Sequence, residues 1–187
     1  MRIVAGRFRG RALAAVGKGD AAAHLRPTAD RVRESLFNVL GGGKFAGTLE
    51  HARVLDLFAG TGALGLEALS RGADHVTFVD SGRKALALLR ENIRLLDVEA
   101  DARVLTSDAR RLPQASAPCD LIFLDPPYGQ NLGKPALAKA AEMGWIDANA
   151  LVVWEEKSPQ DAPEGYTRED NRRYGDTHIS IMRRGLA

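Results

Sequence analysis

Strand-like and helix-like segments alternate along most of this chain, and their order constrains the fold more than any other feature. From residue 52 onward, each apolar run of strand length except the last is followed by a loop or by a segment whose leucines have helical spacing. Such alternation predicts a parallel sheet with helices on both faces. Near Gly175 two strand-like segments follow each other without a helix, which predicts an antiparallel hairpin at the sheet edge. We therefore expect an α/β chain with a Rossmann-like, mostly parallel sheet of seven strands.

The first part of the chain has a different pattern. In "RIVAGRFRGRAL" the alternation places Arg7, Arg9 and Arg11 on one face of an extended segment, and the glycines allow a short hairpin. The following "RPTADRVRESLFNVL" has the apolar spacing of a helix and ends at three glycines. We expect a small hairpin-and-helix extension over residues 1–43 and the main α/β domain over residues 44–187.

Charge is distributed unevenly along the chain. Residues 1–37 carry a balance of +5, whereas the whole chain of 187 residues carries only +2. A basic segment on a mildly acidic body favours an anionic partner. The apolar runs are too short for a membrane span, and the single cysteine, Cys119, favours a reducing, cytoplasmic compartment. The four histidines stand far apart, so we expect no metal.

A glycine loop follows the first predicted strand of the main domain. In "VLDLFAGTGALGLEAL" the glycines Gly60, Gly62 and Gly65 form G-x-G-x-x-G between a strand and a helix. Glycines at these positions allow a sharp turn and a close approach of a ligand to the backbone. Asp80 ends the next strand, 20 residues after Gly60, where a carboxylate can bind ribose hydroxyls. On these residues alone, an enzyme that uses a nicotinamide cofactor is one hypothesis.

Acidic residues end four successive predicted strands, namely Asp56, Asp80, Asp108 and Asp125. The carboxyl ends of parallel strands meet at one edge of the sheet, which is where ligands bind in open α/β folds. A row of carboxylates repels a pyrophosphate and favours a ligand that offers an amine, ribose hydroxyls and an adenine amino group. Each aspartate taken alone could instead cap a helix N terminus.

The combination of "VLDLFAGTGALGLEAL", "VTFVD", "SDA" and "DPPY" resembles the class I methyltransferases that use S-adenosylmethionine to methylate exocyclic amino groups. In addition, "RIVAGRFRGRAL" followed by "LRPTADRVRESLFNVL" is similar to the opening of the RsmD family. That family makes N2-methylguanine in small-subunit (16S) ribosomal RNA. The resemblance runs from Arg2 to about Arg183.

The resemblance implies a role for each motif. Asp125 and the Pro126 carbonyl would accept hydrogen bonds from the target amine, Pro127 would stiffen the turn, and Tyr128 would stack on the flipped base. The cofactor-binding residues implied are Thr28, Asp56, Gly60, Gly62, Asp80, Ser81, Asp108 and Ala109. The arginines expected to contact RNA phosphates are Arg7, Arg9, Arg11, Arg26, Arg31 and Arg33.

The resulting hypothesis is a monomeric rRNA (guanine-N2-)-methyltransferase that uses S-adenosyl-L-methionine. Its expected partner is 16S rRNA, either within a small subunit or in an assembly intermediate, and the resemblance suggests guanine 966 as the target. A DNA adenine-N6 methyltransferase is the alternative enzyme, since it shares the Asp-Pro-Pro-Tyr tetrapeptide. An RNA-binding module on a Rossmann-like scaffold is the alternative without catalysis.

Overall fold

The computed structural model describes residues 1–15 and 30–185, and within them seven strands form one sheet. Their spatial order is β3-β2-β1-β4-β5-β7-β6, in which β1 to β5 pair in parallel and β7 runs antiparallel to both of its neighbours. The predicted Rossmann-like sheet with an antiparallel edge hairpin is confirmed. The strands are β1 (Arg53–Leu57), β2 (His75–Asp80), β3 (Ala102–Thr106), β4 (Cys119–Leu124), β5 (Ile146–Glu156), β6 (Tyr166–Tyr174) and β7 (Thr177–Arg184).

Helices cover both faces of the sheet. Three of them pack on one face, where the rings of Phe37 and Phe123 lie 5.6 Å apart between centroids. The fourth packs on the other face with Leu137 against the core that contains Trp154. Cys119 is buried at the start of β4. The helices are α1 (Asp30–Leu40), α2 (Ala63–Ser70), α3 (Arg83–Leu96) and α4 (Gly133–Glu142).

Residues 1–15, called the arm below, fold back on themselves as a short hairpin. An antiparallel bridge joins Arg2 to Ala12, and the Ile3 N–H donates to the Arg11 carbonyl at 2.9 Å. The Ile3 side chain is fully buried in the same core as helices α1 to α3. The hairpin predicted from the sequence is therefore present.

The prediction that Arg7, Arg9 and Arg11 share one face of an extended segment is wrong. Residues 5–10 form turns and bends, because Gly6 and Gly10 adopt φ values of +81° and +83°. Alternation of side chains holds only in extended backbone, so it ends where these glycines reverse the chain. The arginines consequently do not form one stripe.

The arm and α1 contribute to the main hydrophobic core, and the boundary between residues 1–43 and 44–187 stays a prediction. Among residues 1–15 and 30–185, no helix has the length and apolar character that crossing a bilayer requires.

Candidate functional site

Backbone hydrogen bonds hold the carboxyl ends of four neighbouring strands side by side. The bonded ends belong to β4, β1, β2 and β3, in the order in which they lie across the sheet. The motifs that follow these strands are therefore brought to one edge, as predicted. The bonds are Asp125 N–H to Leu57 O (3.4 Å), Ala59 N–H to Val79 O (3.0 Å) and Ser107 N–H to Asp80 O (3.0 Å).

The glycine loop joins β1 to α2 at this edge and is packed too tightly for side chains. Gly62 has φ +81°, and a Cβ built on it would lie 2.4 Å from the Cδ1 atom of Leu89. A Cβ on Gly65, in the first turn of α2, would lie 2.4 Å from the Cε1 atom of Phe78. The loop thus needs glycine for its backbone conformation at the first position and for helix–sheet packing at the second.

Asp56 lies beneath the loop and is almost completely buried, with 1% of its surface exposed. Its Oδ2 atom accepts the backbone N–H of Gly65 at 3.0 Å, which satisfies one of the free donors at the start of α2. Burial is the main cause that raises the pKa of Asp56 from 3.8 to about 7, and the charge of Asp80 raises it further. Asp56 therefore supports α2, and its contact with a cofactor amine stays a prediction.

Asp80 ends β2 and fixes the two backbone segments on either side of the predicted ribose site. One carboxylate oxygen accepts the Gly60 N–H at 2.8 Å, and the other accepts the Gly82 N–H at 2.7 Å. Ser81, between these segments, is exposed at the same edge. The carboxylate is only partly buried, so its remaining lone pairs can accept further hydrogen bonds from a ligand.

Asp108 follows β3 and is held by its own neighbour. The Arg110 guanidinium donates to both carboxylate oxygens, the closest at 2.6 Å, and the Arg110 N–H donates to Oδ1 at 2.9 Å. These hydrogen bonds lower the pKa of Asp108 to about 2. Arg110 was not predicted as a site residue, although "SDAR" contains it. Ala109, which lies between Asp108 and Arg110 in the chain and is expected to meet the adenine ring, is buried.

The Asp-Pro-Pro-Tyr segment leaves β4 beside the end of β1. Asp125, Pro127 and Tyr128 are partly buried, and Pro126 is buried. Neither proline has an N–H, so this turn presents carbonyl and carboxylate oxygens with few competing donors. The structure therefore places hydrogen-bond acceptors next to the glycine loop.

The hydroxyl group of Tyr128 is held by two residues that the sequence analysis missed. It donates to Glu155 Oε1 at 2.9 Å and lies 3.0 Å from Thr177 Oγ1. Burial is the main cause that raises the pKa of Tyr128 above its ordinary value, so the hydroxyl stays protonated. The acidic end of "VVWEE", a fifth strand end with a carboxylate, was the available signal for Glu155.

The six arginines expected to contact phosphates do not share one environment. Arg9, Arg11 and Arg31 are exposed. Arg7 is also exposed, but it forms an ion pair with Asp101 at 3.1 Å.

The expectation for Arg33 is wrong, because this side chain is completely buried. Its guanidinium lies 3.5 Å from Glu67 Oε2 and 2.9 Å from Asp30 Oδ1, and it also donates to the Arg2 carbonyl. A group without solvent exposure cannot bind an external phosphate. The spacing of the buried residues of α1 shows why: Arg33, Leu36, Phe37 and Leu40 occupy one helical face.

Two further predicted site residues, Arg26 and Thr28, lie outside the described residues. Within the part of the chain that the structure describes, no group of three His, Cys, Asp or Glu side chains is placed to hold a metal ion.

Comparison with known proteins adds an independent finding. Residues 1–183 match the model of the family described as Conserved hypothetical protein 95. The ribosomal RNA small subunit methyltransferase D of Escherichia coli (strain K12) is 38% identical over 164 residues, covering 87% of this chain and 78% of the relative. The YlbH protein of Bacillus subtilis (strain 168) is 36% identical over 193 residues, covering 98% of this chain and 99% of the relative.

A solved structure agrees over the full length. The yhhF protein from Escherichia coli superimposes with a TM-score of 0.84 at 34% identity, and the match covers 100% of this chain and 99% of that one. The similarity therefore includes the arm as well as the sheet.

Proposed function

Because the chain belongs to the family described as Conserved hypothetical protein 95, the RsmD family, we propose that it methylates the exocyclic N2 of a guanine in 16S rRNA. The observation that carries the proposal is the placement of Asp-Pro-Pro-Tyr beside the glycine loop, with the Asp125 N–H bonded to the Leu57 carbonyl. The name of the Escherichia coli relative supports small-subunit rRNA as the substrate. Guanine 966 is the specific target that we propose.

The residues at the carboxyl edge fit S-adenosylmethionine as the methyl donor. Asp80 and Asp108 carry acceptors suited to ribose hydroxyls and an adenine amino group. The charge of Asp80 disfavours the two phosphates of a nicotinamide cofactor, whereas the Arg110 guanidinium offsets the charge of Asp108. The glycine loop allows a ligand to lie against the backbone. When bound, S-adenosylmethionine supplies the activated methyl group and the leaving group.

In this mechanism Asp125 and Pro126 act on the amine of the target base. An aromatic amine is a weak nucleophile, because its lone pair is delocalised into the ring. As the nitrogen attacks, it becomes tetrahedral and positively charged, so a carboxylate and a carbonyl that accept its hydrogens stabilise the transition state more than the flat ground state. Each such charge-assisted hydrogen bond contributes about 1.5–3 kcal/mol.

Tyr128 holds the base in line with the methyl group. The bonds of its hydroxyl to Glu155 and Thr177 fix the ring, whose face then offers a stacking surface for a guanine removed from its neighbours. Stacking of this kind is worth about 1–3 kcal/mol per base. Alignment of the reacting atoms can contribute still more, so Tyr128 and the proline turn act mainly by positioning.

Exposed cations provide the contact with RNA phosphates. Arg9, Arg11 and Arg31 are exposed on the arm and α1, and exposed Lys157 has its Nζ 5.9 Å from the centre of the Tyr128 ring. Such contacts give affinity without reading sequence. Lys157 is included in this proposal because it lies near the ring on which the flipped base would stack.

The test is to incubate the purified chain with S-adenosylmethionine carrying a deuterated methyl group and with small-subunit rRNA, either naked or in an assembly intermediate. The rRNA is then digested and its nucleosides are analysed by mass spectrometry. We expect labelled N2-methylguanosine, and fragment mapping should place it at guanine 966. Label on adenine N6, or transfer to DNA instead of rRNA, would contradict the proposal in favour of the alternative enzyme. RNA binding without any transfer would indicate the non-catalytic module.

A further inference from the structure

Asn92, a residue of α3 that belongs to none of the motifs above, is completely buried and bonded on both sides of its amide. Its Oδ1 atom accepts the Ala14 N–H at 2.7 Å. Its Nδ2 group donates to the Ala14 carbonyl at 3.1 Å and to the Thr61 carbonyl at 2.9 Å. One side chain therefore joins the end of the arm to the middle of the glycine loop.

The three bonds match the donor and acceptor inventory of an amide. Two carbonyl oxygens face Nδ2, which has two hydrogens, and one N–H faces Oδ1. A carboxylate at this position would offer no hydrogen to either carbonyl, and an apolar residue would leave all three backbone groups unpaired. The three bonds consequently require an amide side chain at this position, whereas packing of α3 alone would accept an apolar residue.

Thr61 is the residue of the loop on which this restraint acts. It lies between Gly60 and Gly62, which have φ values of +57° and +81° and can adopt many other conformations in the absence of restraint. Fixing the Thr61 carbonyl fixes the peptide plane that follows, whose Gly62 N–H donates to the Ala59 carbonyl at 2.7 Å and closes the turn of the loop. The same amide holds Ala14 as a neighbouring strand would.

We propose that Asn92 is a positioning residue that makes the arm part of the cofactor site, so that loosening either the arm or α3 weakens cofactor binding through the loop. This inference rests on the proposed function, because it assigns the glycine loop to S-adenosylmethionine. The Asn92 amide bonds the arm and the loop, so its expected effect on cofactor binding is indirect.

The test compares Asn92→Ala with Ser70→Ala as a matched control. Ser70 also bonds the arm, since its Oγ donates to the Ala5 carbonyl and accepts the Phe8 N–H, but it does not contact the loop. Amide hydrogen exchange over residues 59–66 and the dissociation constant for S-adenosylhomocysteine are measured for both variants. We expect Asn92→Ala to raise both at least tenfold, and Ser70→Ala to change both less than twofold.

A second variant tests the same link from the side of the arm. It keeps the inference testable if Asn92→Ala does not fold. Ala14→Pro removes the N–H that bonds Oδ1 and leaves α3 and the loop sequence intact. It should raise the dissociation constant and the exchange over residues 59–66 at least threefold. Unchanged exchange over these residues in a folded Asn92 or Ala14 variant would overturn the inference. Failure of the wild type to bind S-adenosylhomocysteine would instead overturn the proposed function. The hydrogen-exchange data would still show whether Asn92 restrains the loop.

Discussion

Asp56 and Asp108 are both carboxylates at strand ends, yet their surroundings move their pKa values in opposite directions. Burial beneath the glycine loop raises the pKa of Asp56 to about 7, whereas the hydrogen bonds from Arg110 lower that of Asp108 to about 2. The sequence predicts the position of both residues, because Asp56 is the next-to-last residue of an apolar strand and Asp108 follows one. It does not predict their protonation. That of Asp56 depends on burial beneath the glycine loop, and that of Asp108 depends on the hydrogen bonds from Arg110.

The raised pKa of Asp56 makes stability depend on pH. The folded chain retains a proton on Asp56 between about pH 4 and pH 7, where the unfolded chain has lost it. The stabilising contribution is therefore fully present below about pH 4 and lost as pH rises through about 7. In Asp56→Asn the amide oxygen can still accept the Gly65 N–H, but this dependence disappears. Urea unfolding from pH 4 to pH 8 should show the free energy of wild type relative to the variant falling, by up to ~1.4 kcal/mol per pH unit. A difference that does not change with pH would contradict the assignment.

Asp125 is expected to act on the target amine and not on the cofactor. Replacing it with alanine should lower kcat by about 100-fold or more, since the developing charge loses a preorganised partner. The dissociation constant for S-adenosylhomocysteine should change little. Single-turnover methyl transfer and calorimetry separate the two quantities. Wild-type turnover in the variant would remove Asp125 from the mechanism.

At the scale of elements, the arm connects the two ends of α2. Ala14 is joined through Asn92 to the loop at the start of the helix, and the Arg7 N–H bonds the Ser70 carbonyl at its end. Eight residues of helix span about 12 Å, so the turn of the arm lies roughly that far from the glycine loop. Its charges are expected to meet RNA beyond the flipped nucleotide.

Substituting Arg9, Arg11 and Arg31 together with alanine should weaken RNA binding in a salt-dependent way. Each phosphate contact that is lost reduces the slope of log K against log salt by about 0.7–0.9. Filter binding at several salt concentrations measures this slope. The matched control replaces Arg94, Arg103 and Arg168, which lie elsewhere and should leave the slope unchanged. Equal slopes for wild type and the triple variant would remove these residues from the RNA contact surface.

Elements were predicted well where local pattern and packing agree. The apolar run of β4 and the leucine spacing of α3 specify their own secondary structure, because each buries a continuous face. The arm was predicted less well, since its turn depends on glycine conformations and on the bonds that Glu67 and Ser70 supply from a distant helix. Long-range polar contacts of this kind leave no periodic signal.

At the scale of the whole molecule, a buried polar cluster attaches the arm to α1 and α2. Glu67, fully buried in α2, accepts the Val4 and Ala5 N–H groups at 2.8 and 3.0 Å. It also pairs with Arg71 at 2.8 Å and with Arg33 at 3.5 Å. Three segments that are distant in sequence therefore share one carboxylate.

Removing that carboxylate should strongly destabilise the fold. In Glu67→Ala the buried Arg33 keeps its pair with Asp30 but loses its fully buried counter-charge. The two arm N–H groups also lose their acceptor, which together predicts a loss of about 3–5 kcal/mol. The control is Lys139→Ala, which breaks the pair of Lys139 with exposed Glu142 and should cost less than about 1 kcal/mol. Urea unfolding measures both. Similar losses for the two variants would show that the cluster does not attach the arm.

The most direct measurement of the proposed function is a crystal structure with bound S-adenosylhomocysteine. We predict that its methionine end lies against Gly60 and Gly62, its ribose beside Asp80, and its adenine beside Asp108 and Ala109. The sulfur atom should then face Asp125 and the proline turn, where the target nitrogen would approach. A ligand bound away from the glycine loop, or a sulfur atom remote from Asp-Pro-Pro-Tyr, would contradict methyl transfer at this edge of the sheet.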